Sequence, residues 1–251
     1  MSRRQRRVVM VTGGTRGIGR AVATLFHRRG DRVVVCARSV VAAALPSGIL
    51  SYQVDVRQRA ALLACVRAFM RQVGRFDVWV NAAGISRWRA IEDLDEPFVT
   101  EVVETSLLGT LWGCAAAAAA MRAPASIVNI SSLAGKRGSA NNSAYCAAKF
   151  AVNGITQALA KELGSRGIRV NAVCPGYVET RQILAALAES SSPAHGQPVK
   201  RYLRQFAATQ TALGRLPSSE EVAEAVYFLA SPAASAITGQ CLNVDCGTLP
   251  Q

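Results

Sequence analysis

Short β-branched runs alternate with helical patterns along almost the whole chain. Arg7–Thr12 (RVVMVT) is a continuous apolar run, the pattern of a strand buried on both faces. It enters Gly13-Gly14-Thr15-Arg16-Gly17-Ile18-Gly19, after which Ile18, Val22, Leu25 and Phe26 share one helical face until Gly30. Further strands are predicted at Arg32–Ala37, at Ile49–Val54 (closing on Asp55-Val56) and at Phe76–Val80, the last followed by the turn Asn81-Ala82-Ala83-Gly84. A helix is predicted at Ala60–Val73, and a fourth helical unit, Glu96–Met121, leads to a fifth strand, Ser126–Ile130. The sixth and seventh strands are Ile168–Val173 and Cys241–Val244. This alternation predicts a single α/β domain over 1–251, with a Rossmann-type doubly wound parallel sheet of about seven strands in the order 3-2-1-4-5-6-7. In such a sheet the ligand crevice lies at the carboxyl ends of the strands, and each turn named above falls at such an end.

The segment 181–216 interrupts the rhythm. Two helix-like pieces, Gln182–Glu189 and Pro198–Thr211, flank the breaker SSSPAHGQP, and the segment is expected to form a helical lid over the crevice. His195 in that breaker is expected to be solvated rather than catalytic, and Trp88 to be a packing or pocket-wall residue.

Composition narrows the class. Half of the residues are hydrophobic, which fits a packed globular protein rather than a disordered one. The run Leu107–Met121 reads as too short and too alanine-rich to span a bilayer, and no signal-peptide core is expected at the N-terminus. The seven cysteines are scattered singly, without a C-x-x-C pair, which argues against a disulfide framework or a zinc site and for a reducing cytoplasm. The net charge of +13 raises the question of nucleic-acid binding. Four arginines crowd into Ser2–Arg7, but the others are dispersed and no basic stripe with interleaved aromatics is present. A positive field would still collect anionic ligands.

The chemistry concentrates in two places. Strand, glycine-rich turn and helix together are the setting a dinucleotide fingerprint requires, because backbone N–H groups and a helix N-terminus can then approach a pyrophosphate. An acid about 20 residues further on would bind the ribose 2′-hydroxyl of NAD. The second strand instead ends Cys36-Ala37-Arg38-Ser39, so Arg38 with Arg16 favours a 2′-phosphate and hence NADP(H). The second place is Ser131–Lys149. Tyr145 and Lys149 are four apart and share one helical face, and an ammonium beside a phenol is expected to lower its pKa and make its proton transferable. Ser132 stands thirteen residues before Tyr145, where it could hydrogen-bond a substrate oxygen from the other side.

TGGTRGIG (Thr12–Gly19), NAAG (Asn81–Gly84), Ser132, Tyr145-x-x-x-Lys149 and PGYVET (Pro175–Thr180), in this order, resemble the short-chain dehydrogenase/reductase family over nearly the whole chain. The resemblance implies that Tyr145 is the general acid, that Ser132 orients a carbonyl, and that Lys149 binds the nicotinamide ribose while lowering the Tyr145 pKa. It also implies cofactor contacts from Gly13, Thr15, Arg16, Gly17, Ile18, Gly19, Arg38 and Ser39, from Asp55 and Val56 at the adenine, and from Asn81, Ala82, Ala83 and Gly84 in the middle. Pro175, Gly176, Val178 and Thr180 would serve the nicotinamide end, and no metal is expected. One departure stands out: where the family usually places an asparagine that anchors a relay water, this chain has Ser106. A hydroxyl can hold a water with fewer hydrogen-bonding groups than an amide.

Within the family, Val34–Ser39, Val102–Thr105 and Val170–Thr180 look like NADPH-dependent ketoreductases that reduce a β-keto group carried on an acyl carrier protein. Arg122 and Arg166 are candidates for meeting an acidic carrier. The lid and SSLAGKRG also resemble dehydrogenases of small secondary alcohols, polyols or cyclic hydroxy compounds, and a non-catalytic dinucleotide sensor is a third reading. The family resemblance further implies a homotetramer, while the dispersed charge and the short apolar run argue against nucleic acid or membrane as a partner.

Overall fold

The computed structural model describes residues 6–39 and 45–250. Of the arginines in Ser2–Arg7, those at 3 and 4 lie outside the described residues, as does the terminal Gln251. Seven strands form one parallel sheet in the order β3-β2-β1-β4-β5-β6-β7, as the sequence predicts. They are β1 (Val8–Thr12), β2 (Arg32–Ala37), β3 (Leu50–Gln53), β4 (Val78–Asn81), β5 (Ala125–Ile130), β6 (Ile168–Pro175) and β7 (Cys241–Val244). Alternation along β1 builds two cores at once. Val8 and Met10 face one layer of helices, and Val9 and Val11 face the other. The first layer holds α2 (Arg59–Val73), α4 (Gly109–Ala120) and α5 (Ser143–Gly164); the second holds α1 (Gly17–Arg28) and α8 (Ser219–Leu229).

The helix expected over Glu96–Met121 is continuous but not uniform. It opens as α3 (Glu96–Val102), capped by Asp95, whose carboxylate accepts from Phe98 N at 2.8 Å. It then widens to a π-helical segment over Val103–Leu108 before α4 begins. The run judged too short to span a bilayer is therefore part of a 25-residue helix that is, by length and composition, long and apolar enough to cross one. Half of that apolar window is buried inside the fold, as expected of a core helix.

Arg7 shows what one of the N-terminal arginines does. Its guanidinium pairs with buried Asp31 at 2.6 Å and lies over the rings of Phe26 and Tyr227, so it fastens the start of β1 to the second helical layer. It is not part of a free basic arm.

The first layer is stitched to the strand ends by a buried polar chain. Asn81 Oδ1 accepts from Trp79 Nε1 at 2.8 Å, and Asn81 Nδ2 donates to Asn129 Oδ1 at 2.9 Å. Asn129 Nδ2 donates in turn to Thr156 Oγ1 on α5 at 2.9 Å, and that hydroxyl donates to Val152 O at 2.8 Å. Helix α4 rests directly on this chain: a Cβ at Gly113 would overlap Asn81 Oδ1. We therefore expect Gly113→Ala to cost about 1–3 kcal/mol of stability by overpacking and by displacing a buried amide. The measurement is urea unfolding, and an unchanged midpoint would contradict the close approach.

Candidate active site

A cleft of about 1050 Å³ runs along the carboxyl ends of the strands. At one end the turn after β1 brings Gly13, Thr15, Arg16, Gly17, Ile18 and Gly19 to its wall. Gly13 has φ +68°, and a Cβ there would stand 2.8 Å from Ala83 N, so the two turns meet only because this position is bare. Helix α1 starts in this wall without a side-chain cap and without an acid in its first turn. Its N–H groups and dipole are thus left for an anion. Arg38 and Ser39 follow β2, and Asp55 and Val56 follow β3, on the same wall. The Asp55 carboxylate is taken up by the Arg57 guanidinium at 2.7–3.1 Å, and this hydrogen bonding holds its pKa below the usual carboxylate value.

At the other end, β5 delivers Ser132 and α5 delivers Tyr145 and Lys149, all three lining the cleft. Ser132 caps the short turn Leu133–Gly135, its Oγ accepting from Ala134 N at 3.1 Å. That turn packs tightly on α5, since a Cβ at Gly135 would lie 2.6 Å from Lys149 O. Ser131 Oγ donates to the same carbonyl at 3.3 Å. Lys149 is 4% exposed, and its Nζ donates to Ile130 O at 2.8 Å and lies 5.7 Å from the Tyr145 ring centre. Pro175, Gly176, Val178 and Thr180 after β6 complete this end.

The electrostatics depart from the expected direction. Burial pushes the Tyr145 phenol up to about 12, opposed by hydrogen bonds from Ser132 and Ser86. Burial also drives the Lys149 ammonium down, to about 8, while its Nζ donates to Ile130 O. The lysine is thus a desolvated cation near a phenol that burial holds in its protonated form. A lysine with a lowered native pKa disfavours the folded state while charged. Its cost to folding, on the order of 3 kcal/mol, is felt in full below about 8 and fades as pH rises towards 10.5.

Two expected residues do not line the cleft. Asn81 is buried, and its amide is committed to Trp79 and Asn129 in the polar chain under α4. Strand parity explains this: Asn81 is two residues from Trp79 and so faces the same helical layer, whereas Ala82, Ala83 and Gly84 line the cleft. Ser106, in the π-helical segment, is fully buried; its Oγ accepts from Ile85 N at 3.3 Å and stands 3.4 Å from Ile85 O. A Cβ built on Gly84 would be 3.6 Å from Ser106 Oγ and 3.6 Å from Lys149 Nζ, so both side chains pack against the Gly84 turn, Ser106 from behind the cleft wall. The neighbouring Thr105 does line the cleft, with a buried hydroxyl that has no hydrogen-bond partner among the described residues.

The far wall is aromatic, and of its members only Trp88 is expected from the sequence. Trp88, Tyr177 and Phe206 line the cleft, with ring centres 6.4 Å apart for Trp88–Tyr177 and 4.8 Å for Tyr177–Phe206. Phe206 lies on α7 (Val199–Gln210), and α6 (Arg181–Leu187) contributes Gln182, whose amide donates to Gly84 O at 3.1 Å. His195 is exposed and away from the cleft.

Comparison with known proteins agrees with this architecture. The model of a family described as enoyl-(acyl carrier protein) reductase matches residues 13–248. A Streptomyces virginiae protein, assigned as the ketoacyl reductase of monensin polyketide synthase, is 38% identical over 261 residues, covering 99% of this chain and 99% of that protein. The 3-oxoacyl-(acyl-carrier-protein) reductase FabG of Vibrio cholerae is 34% identical over 248 residues, covering 96% of each. Among solved structures, a single-site variant of actinorhodin polyketide ketoreductase with NADPH superposes with a TM-score of 0.88 at 35% identity, covering 99% of both chains.

The buried ammonium is directly measurable, because the chain has only four lysines: Lys136, Lys149, Lys161 and Lys200. NMR of the cofactor-free protein labelled at lysine side chains should show a resonance titrating near pH 8 that is missing from Lys149→Met. If the resonance lost in that variant titrates near 10.5, the ammonium is not desolvated.

Proposed function

The chain belongs to the short-chain dehydrogenase/reductase family of oxidoreductases, and from that premise we propose that it is an NADPH-dependent ketoreductase acting on a β-ketoacyl or polyketide-like ketone. The observation that carries this reading is the span of one cleft. An uncapped helix N-terminus with Arg16 and Arg38 stands at one end, and Ser132, Tyr145 and Lys149 stand at the other. The residues suit the cofactor. The glycine turn leaves room for a pyrophosphate, the two guanidiniums suit a 2′-phosphate, and no acid competes in the first turn of α1. Asp55 and Val56 would border the adenine, Ala82, Ala83 and Gly84 the middle, and Pro175, Gly176, Val178 and Thr180 the nicotinamide. When bound, the cofactor supplies the hydride.

The protein's part is to hold the ketone and deliver a proton. Tyr145, kept as a neutral phenol by burial, gives its proton to the carbonyl oxygen as negative charge develops there. The Ser132 oxygen already accepts from Ala134 N, and its O–H, which meets the Tyr145 phenol, can turn to the same substrate oxygen, an oxyanion-type stabilisation. Lys149 offers a charged donor for the nicotinamide ribose and stands ready to resupply the proton. Ser106 is proposed to serve the resupply by exchanging its two long contacts with Ile85 for a water. The aromatic wall of Trp88, Tyr177 and Phe206 suits a flat or extended apolar substrate. Helices α6 and α7, within the 181–216 segment, are proposed to act as its lid.

The names of the relatives support a ketone presented as a carrier-linked thioester. Arg122 and Arg166 remain candidates for the carrier's acidic surface. Seven free thiols suit a reducing cytoplasm. For the homotetramer that the family resemblance implies, we propose the outer edge of β7, with Leu242 41% exposed, as one contact.

Tyr145→Phe should lower kcat for NADPH-dependent ketone reduction by about 10²–10⁴-fold while leaving the NADPH Kd within about threefold. Retention of most activity would overturn the assignment. Arg38→Ala should weaken NADPH about 10- to 100-fold and leave NADH nearly untouched, and equal losses would sink the cofactor assignment. A panel of free, CoA-linked and carrier-linked ketones tests the substrate, and preference for a small free polyol would reject the acyl reading.

A further inference from the structure

Arg38 has an acidic neighbour on the rim of the cleft. Its Nη1 stands 3.7 Å from Glu101 Oε1, on α3 across the rim of the cleft. The other oxygen of the same carboxylate, Oε2, stands 3.9 Å from Arg87 Nη1 on the loop after β4. Both separations are those of ion pairs longer than a hydrogen bond, so Glu101 is shared between two guanidiniums and easily moved from Arg38 towards Arg87. Arg87 in turn donates from Nε to Glu189 Oε1 at 3.1 Å, just beyond the end of α6. A rim of alternating charge thus runs Arg38–Glu101–Arg87–Glu189. The neighbouring Arg57 is taken by Asp55 at 2.7 Å, with Glu104 a further 3.9 Å partner, and it feels the Glu101 charge as a third, weaker influence.

We infer that Glu101 is a specificity-determining residue for the cofactor: it occupies Arg38 until a 2′-phosphate displaces it onto Arg87. The inference rests on the reading of Arg38 as the 2′-phosphate ligand. A ligand carrying about two negative charges on that phosphate must take Arg38 from Glu101 and then sit beside a like charge. NADH, with a neutral 2′-hydroxyl, meets neither cost. Glu101 therefore lowers the preference for NADPH below what Arg16 and Arg38 alone would give. Arg87 limits the loss by offering the displaced carboxylate a second cation. Because Arg87 also holds Glu189, the displaced carboxylate and the end of α6 lean on the same guanidinium.

The test is titration of the cofactor-free protein with NADPH and with NADH at low salt. Glu101→Gln keeps the shape and removes the charge. It should tighten NADPH about two- to fivefold with NADH unchanged, and the gain should shrink in high salt. Arg87→Gln should move NADPH the other way by a similar factor, because Glu101 then rests on Arg38 alone. In an Arg38→Ala background, Glu101→Gln should have no selective effect. Unchanged NADH binding shows that each variant is folded. A Glu101→Gln protein whose NADPH affinity is unchanged, or shifts equally with NADH, overturns the inference. If Arg38→Ala by itself weakens both cofactors equally, it is the reading of Arg38 that fails.

Discussion

A single buried cation sets the arrangement of this site. The Lys149 ammonium is drawn out of water and donates to Ile130 O at the carboxyl end of β5. A charge so placed is tolerated only if the surrounding polar groups are fixed, and they are. Ser131 N donates to Val173 O on β6 at 2.8 Å, Ser131 Oγ donates to Lys149 O, and the Leu133–Gly135 turn closes against the same carbonyl. On the inner side of α5, Thr156 ties the helix through Asn129 to Asn81. The geometry of Ser132, Tyr145 and Lys149 is thus over-determined by backbone and buried amides, and none of it depends on a flexible loop.

The cofactor end follows a different logic, in which cations are left available rather than buried. Arg57 is neutralised by Asp55, and Arg7 by Asp31, but Arg16 and Arg38 remain on the cleft wall beside the uncapped start of α1. Ion pairs on the rim are long and half-exposed, so each contributes little to stability; their value lies in how readily they exchange partners.

Much of this was legible in the sequence. The seven strands, their order and the turns at their carboxyl ends follow from β-branched runs and glycines, which report the local backbone directly. The Ser132–Tyr145–Lys149 grouping was legible because two of its members lie one helical turn apart. Other features were not. The π-helical widening at Val103–Leu108 has no periodic signature, since it shifts the phase of a helix without interrupting it. Asn81 looks like a ligand because it opens the NAAG turn, and only its parity with Trp79 turns it into the core. The sign of the Tyr145 shift is hidden because spacing tells that a lysine is near, whereas burial decides whether its charge is expressed. The partners Glu101, Arg87 and Glu189 are far apart in sequence and meet only in the fold.

The central claim is that a desolvated, titratable Lys149 serves the acid centre at Tyr145. It is tested most directly by the pH dependence of kcat/KM for NADPH in ketone reduction, a parameter that reports the cofactor-free enzyme. The protonated lysine is the active form, so activity should be full below its native pKa and lost as pH rises through it. The account predicts a level profile at neutral pH and a descending limb, about tenfold per pH unit, beginning near pH 8. A profile that stays flat until the ordinary lysine value of 10.5 would contradict it.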